Sequence, residues 1–173
     1  MKFIRHSKIH GGSLRILCKK KEKFSILQQP KNFIDRETNL LKKKDYNLIH
    51  WNTFINKKMK LLLKNFNLFA KESSPKIIGY GAPTKSTLMI KISDIDHKKI
   101  DYIVEDNNQK IGRFIPKYGI PIKKVSHKNI KSAKLIFIFA WNFQKDIVHK
   151  LKHDFRYKGH ILIPLPHVKL IKL

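Results

Sequence analysis

The residues best equipped for chemistry are ten consecutive ones, Ile78-Gly79-Tyr80-Gly81-Ala82-Pro83-Thr84-Lys85-Ser86-Thr87. An apolar run leads into them and a helical pattern follows. Strand-to-helix loops of this kind hold phosphate in α/β folds, because backbone N–H groups and the positive end of the helix dipole both favour an anion. The loop departs from both common glycine fingerprints. Gly79 and Gly81 fill the first two glycine positions of a dinucleotide loop, but Thr84 stands at the third. A Lys85-Ser86 pair is present as in a P-loop, yet Thr84 again replaces the preceding glycine. The spacing predicts either a phosphate cradle using Gly79, Gly81, Thr84 and Lys85, or a tight turn with a solvated lysine.

Two further positions belong with this loop. Glu105 ends an apolar segment about 20 residues downstream, the separation at which an acid can hold a ribose hydroxyl. Acids also end many strands that bind nothing. Trp141-Asn142 follows the apolar run Leu135–Ala140, at the strand end where open α/β sheets bind ligands. Their other reading is a packing anchor followed by a helix N-cap. The 9 histidines form no metal-ligand pattern. His149 and His153 share one helix face, but no third ligand accompanies them, so no metal site is expected. No nucleophile elbow is present, and spacing identifies no catalytic residue.

The elements that would position these residues begin at Lys76. Lys76–Gly79, Ile100–Glu105, Leu135–Ala140 and His160–Pro164 read as strands, the third apolar enough to be buried on both faces. Pro83 at a first helical position predicts a helix to Ile92. Asn142 would cap another reaching His153. Residues 106–121 read as a polar loop. Strand and helix alternate, which predicts an α/β, Rossmann-like parallel sheet with flanking helices. Upstream, residues 38–72 carry apolar residues at spacings of three and four, from Leu40 to Phe69, and read as helical. Asp35 or Thr38 could cap that segment. Residues 19–37 read as a linker. Ser13–Cys18 reads as a short strand after a glycine turn, with nothing to pair with.

Composition limits the partners. The formal net charge is +26, from 38 Lys and Arg against 12 Asp and Glu. Such charge first points to nucleic acid or an anionic surface. Only five of those 38 are arginine, the residue suited to bidentate recognition. Lysine is scattered along the chain together with Ile and Asn, as A/T-rich codons would produce. No specific nucleic-acid partner is therefore expected. No apolar run reaches 18 residues, so no membrane span is predicted. The single Cys18 excludes an internal disulfide and a cysteine-built zinc site. With no apolar leader at the start, the expected location is cytoplasmic.

The ordered blocks resemble the C-terminal domain of the SAM-dependent sugar C-methyltransferase family. They are Gly79–Lys85, Asp101–Asn107, Lys110–Pro116, Ile120–Ile122, Ala140–Asn142 and Ile163–Pro166. His10-Gly11-Gly12-Ser13-Leu14-Arg15 is similar to the segment that closes the SAM-binding domain in that family. The resemblance implies residues 1–18 as the end of a SAM domain, 19–37 as a linker, 38–74 as a helical segment and 75–173 as the Rossmann-like domain. It implies that the complete enzyme methylates a carbon of a nucleotide-linked sugar with SAM. This domain would close over the nucleotide-sugar cleft, binding no cofactor itself. His10 and Arg15 would lie near that cleft, with Gly79, Gly81, Thr84 and Lys85 at phosphate. The family's zinc module and SAM-binding motif have no counterpart here, and Ser86-Thr87 replace its usual Gly-Asn after the loop lysine. The expectation is a truncated or split enzyme, inactive alone, that pairs with a separate SAM-domain subunit. The alternatives are a non-catalytic sugar-nucleotide-binding module and a basic nucleic-acid-binding protein.

Overall fold

The computed structural model describes residues 3–7, 12–18, 20, 28–42, 48–72 and 76–173. They form two compact units, Met1–Ile55 and Asn56–Leu173, whose boundary falls within a helix.

In the first unit, β1 (Phe3–Ser7) pairs antiparallel with β2 (Ser13–Leu17). The strand expected to stand alone thus has a partner. The pairing runs from Phe3 opposite Leu17 to Ser7 opposite Ser13, and Gly12, just before β2, has φ +134°. Helix α1 spans Gln28–Leu41. The reading of 19–37 as linker is corrected over its second half. Pro30 stands in the first turn of α1, where proline is tolerated because its missing N–H would lack a partner anyway. Asp35 and Thr38 lie inside α1 and cap nothing. Helix α2 spans Leu48–Ala70. The helical region is therefore two helices. No helix among the described residues is long and apolar enough to cross a membrane.

The second unit is built on a six-stranded sheet. Its strands are β3 (Ile77–Tyr80), β4 (Ile100–Glu105), β5 (Ile122–Lys124), β6 (Leu135–Ile138), β7 (His160–Ile163) and β8 (Lys169–Lys172). The order is β5-β4-β3-β6-β7-β8; all neighbours are parallel except β7 and β8. The expected Rossmann-like sheet is present, with an antiparallel edge strand added. Helices α3 (Ser86–Ser93), α4 (His127–Lys131) and α5 (Gln144–His153) lie between strands in sequence.

All residues of β3, β6 and nearly all of β7 are buried, as expected where helices cover both faces. On one face Ile78, Tyr80, Ile136, Ile138 and Ile161 pack with Ile147 and Leu151 of α5 and Ile130 of α4. On the other, Phe137 meets Phe66 of α2 edge-on at 6.4 Å and Phe139 at 4.4 Å. Buried area of this kind contributes about 25 cal/mol per Å² and is the main term holding the sheet together.

Two helix starts differ from expectation. Pro83 does not open α3. The Ser86 amide and hydroxyl both donate to the Pro83 carbonyl, at 2.9 and 2.7 Å, closing a turn that delays the helix to Ser86. Asn142 does not cap α5. A 3-10 turn, Trp141–Phe143, intervenes, and α5 begins with no side-chain cap.

Candidate functional site

The chain starts the sheet at β3, adds β4 and β5 on one side, then crosses to β6 on the other. The connections leaving β3 and β6 therefore diverge, and the crevice between their C-terminal ends is the switch point at which open α/β sheets bind ligands. Gly81–Lys85 leaves β3 there, and Phe139–Trp141 leaves β6. Two amides, those of Phe139 and Ala140, donate to the Tyr80 carbonyl at 3.0 and 3.3 Å and tie the two exits together.

The structure separates the roles of the two glycines. Gly79 lies inside β3, fully buried. A Cβ there would stand 2.6 Å from Ile103 and 2.8 Å from Phe139, so core packing explains this glycine and no ligand approach is needed. Gly81 has φ +81°, and its Cβ would lie 2.4 Å from the Ala140 Cβ. It lets the two loops touch across the switch point.

Glu105 organises the loop from the end of β4. One carboxylate oxygen accepts from the Ala82 amide at 2.8 Å; the other accepts from the amides of Asp106 at 2.9 Å and Asn107 at 3.1 Å. Lys110 donates to the Ala82 carbonyl at 3.0 Å and lies 3.7 Å from Glu105. Glu105, expected from the sequence to hold a ribose hydroxyl, clamps Ala82 in this structure. Beside it, Asp106 accepts from Tyr80 at 2.9 Å and pairs with Lys150 at 2.6 Å. Burial, then this bond to Asp106, holds the Tyr80 hydroxyl well above its ordinary pKa.

With Ala82 fixed, the rest of the loop faces outward. Thr84 is exposed. The Lys85 ammonium stands 3.8 Å from the Trp141 ring centre, a cation–π contact that joins the two sides of the crevice. Desolvation lowers the Lys85 pKa from its usual value. The first turn of α3 leaves the amides of Thr87 and Leu88 without an intrahelical acceptor. A lysine, open amides and an aromatic face together suit a ligand with a phosphate and a flat ring.

Of the residues singled out in sequence, Gly81, Thr84, Lys85, Glu105, Trp141 and exposed Asn142 come together at this edge, with Gly79 in the strand beneath. Arg15 lies on β2 in the other unit, directly opposite Arg5. His10 falls outside the described residues. Sequence reasoning missed the parts played by Lys110, Asp106, Tyr80 and Lys150. Their signal was weak: Lys110 follows a turn closed on the Asn107 carbonyl, but no spacing rule connects it to Ala82. Among the described residues no cluster of His, Cys, Asp and Glu could hold a metal ion.

Residues 8–166 match a family model described as the C-methyltransferase C-terminal domain. The chain is also similar to C-methyltransferase NovU of Streptomyces niveus, at 25% identity over 95 residues. That match covers 55% of this chain and 23% of the relative, so it spans about a quarter of the relative's length.

Proposed function

The chain belongs to the C-methyltransferase C-terminal domain family, and from that premise we propose that it forms the acceptor side of a C-methyl transfer, holding a nucleotide-linked sugar at the β3–β6 crevice. The observation that carries this reading is the Lys85–Trp141 contact at the switch point. On ligand binding, Lys85 and the open amides of α3 would take phosphate, while Trp141 would stack on the base or sugar. Methyl transfer needs donor and acceptor held in line. The chain's own residues would hold the acceptor sugar nucleotide, with the clamp of Glu105 and Lys110 on Ala82 keeping the loop in place.

The family implies SAM as methyl donor of the complete enzyme. The crevice residues do not fit SAM. Its sulfonium is a cation and would meet Lys85 and Lys110, and its ribose would find the Glu105 carboxylate already occupied by three amides. The donor is therefore assigned to a different segment, on the same polypeptide or on a partner. No turnover is expected without that segment.

Calorimetric titration tests the reading. A nucleoside-diphosphate sugar is expected to bind and SAM is not. Replacing Lys85 by Ala should weaken sugar-nucleotide binding about ten-fold or more, the order of a lost charge-assisted hydrogen bond. Equal affinity in wild type and Lys85→Ala would remove the crevice from the account.

A further inference from the structure

The hairpin of the first unit brings two arginines face to face. Arg5 on β1 and Arg15 on β2 are directly opposed in the antiparallel register. Opposed residues of this kind project from the same face with Cβ atoms about 5 Å apart, and like charges placed so are destabilising. Both arginines are exposed, and neither makes an ion pair among the described residues. The arginine content makes the arrangement notable: of five arginines in the chain, two face each other here. They line a polar concavity of about 320 Å³ together with His6 and Ser7. A repulsive pair over a polar hollow is the arrangement that a shared dianion would stabilise. The planar guanidinium fork matches two oxygens of one phosphate, which an ammonium cannot do.

We propose that Arg5 and Arg15 together hold one phosphate-class dianion on the β1–β2 hairpin. The pair lies in the first unit and Lys85 in the second, and the proposal does not depend on the function proposed for the crevice. Arg5 also precedes the residues that match the family model, so the pair as such is not part of that match. The phosphate could be free or part of a nucleotide diphosphate, and the chemistry of recognition is the same.

The test uses the full chain carrying Lys85→Ala, so that failure of the crevice reading leaves it unaffected. Inorganic pyrophosphate is titrated in phosphate-free buffer. Arg5→Gln and Arg15→Gln are each expected to weaken binding about ten-fold, and the double variant to lose little more than either single, because both arginines grip one ligand. Arg5→Lys keeps the charge but loses the fork, and should fall between. Without ligand, Arg5→Gln should be at least as stable as the parent, since it relieves the opposed charges. UDP-glucose competing with pyrophosphate would identify a nucleotide diphosphate as the source; no competition would identify free phosphate. Unchanged affinity in the arginine variants would overturn the proposal. So would an equal loss on Lys131→Gln, an exposed control, because bulk charge would then explain binding. Displacement of pyrophosphate by an oligonucleotide but not by UDP-glucose would overturn it in favour of a nucleic-acid backbone.

Discussion

Every residue of β3 and β6 is buried, while in the two five-residue strands of the hairpin only Ile4 is. Leu14, Ile16 and Leu17 are each about half exposed or more. The sheet unit encloses its own core between two helical layers, and the hairpin rests on cross-strand pairs and little burial. Residues carried by the sheet are thus held by many packed neighbours. Lys85 and Trp141 gain their fixed geometry from strands that cannot shift without opening Phe137 and Phe139. Arg5 and Arg15 depend on the register of a single strand pair.

The contrast can be broken by substitution. Phe137→Ala should destabilise the sheet unit by about 3–5 kcal/mol through lost burial and a cavity. Ile16→Ala on the hairpin should change stability by about 0.5 kcal/mol or less. Urea unfolding followed by amide exchange measures both, and comparable effects at the two sites would erase the distinction. A smaller effect than that of Phe137→Ala tests the loop. Glu105→Gln turns an acceptor into a group that cannot serve all three amides, and should cost about 1–3 kcal/mol. Amide exchange at Ala82, Asp106 and Asn107 should rise in that variant. Unchanged protection there would show that the clamp holds nothing.

The same contrast governs what could be read without a structure. Strands β3, β6 and β7 were legible because burial on both faces demands continuous apolar runs, and β4 because Ile100, Ile103 and Val104 are buried and apolar even with Asp101 exposed among them. The edge strands β5 and β8 were not, because Lys123, Lys124, Lys169 and Lys172 interrupt the pattern where one side of the ladder faces solvent. Strand β1 was hidden for a similar reason, with Arg5 and His6 in its middle. The start of α1 was obscured by Pro30. At the site, the loop and Trp141-Asn142 could be placed at one sheet edge from topology rules alone. The Lys85–Trp141 contact and the Lys110–Ala82 bond could not, since each joins segments far apart in sequence and depends on strand order. The packing role of Gly79 was likewise invisible, because Phe139 and Ile103 meet it only in the folded sheet.

The most direct test of the crevice assignment is an amide and indole chemical-shift titration of the ¹⁵N-labelled chain with a nucleoside-diphosphate sugar. The account predicts saturable shifts at Thr84, Lys85, Thr87 and Leu88 and at the Trp141 indole, all with one affinity. Saturable shifts elsewhere, with this loop and Trp141 unmoved, would contradict it.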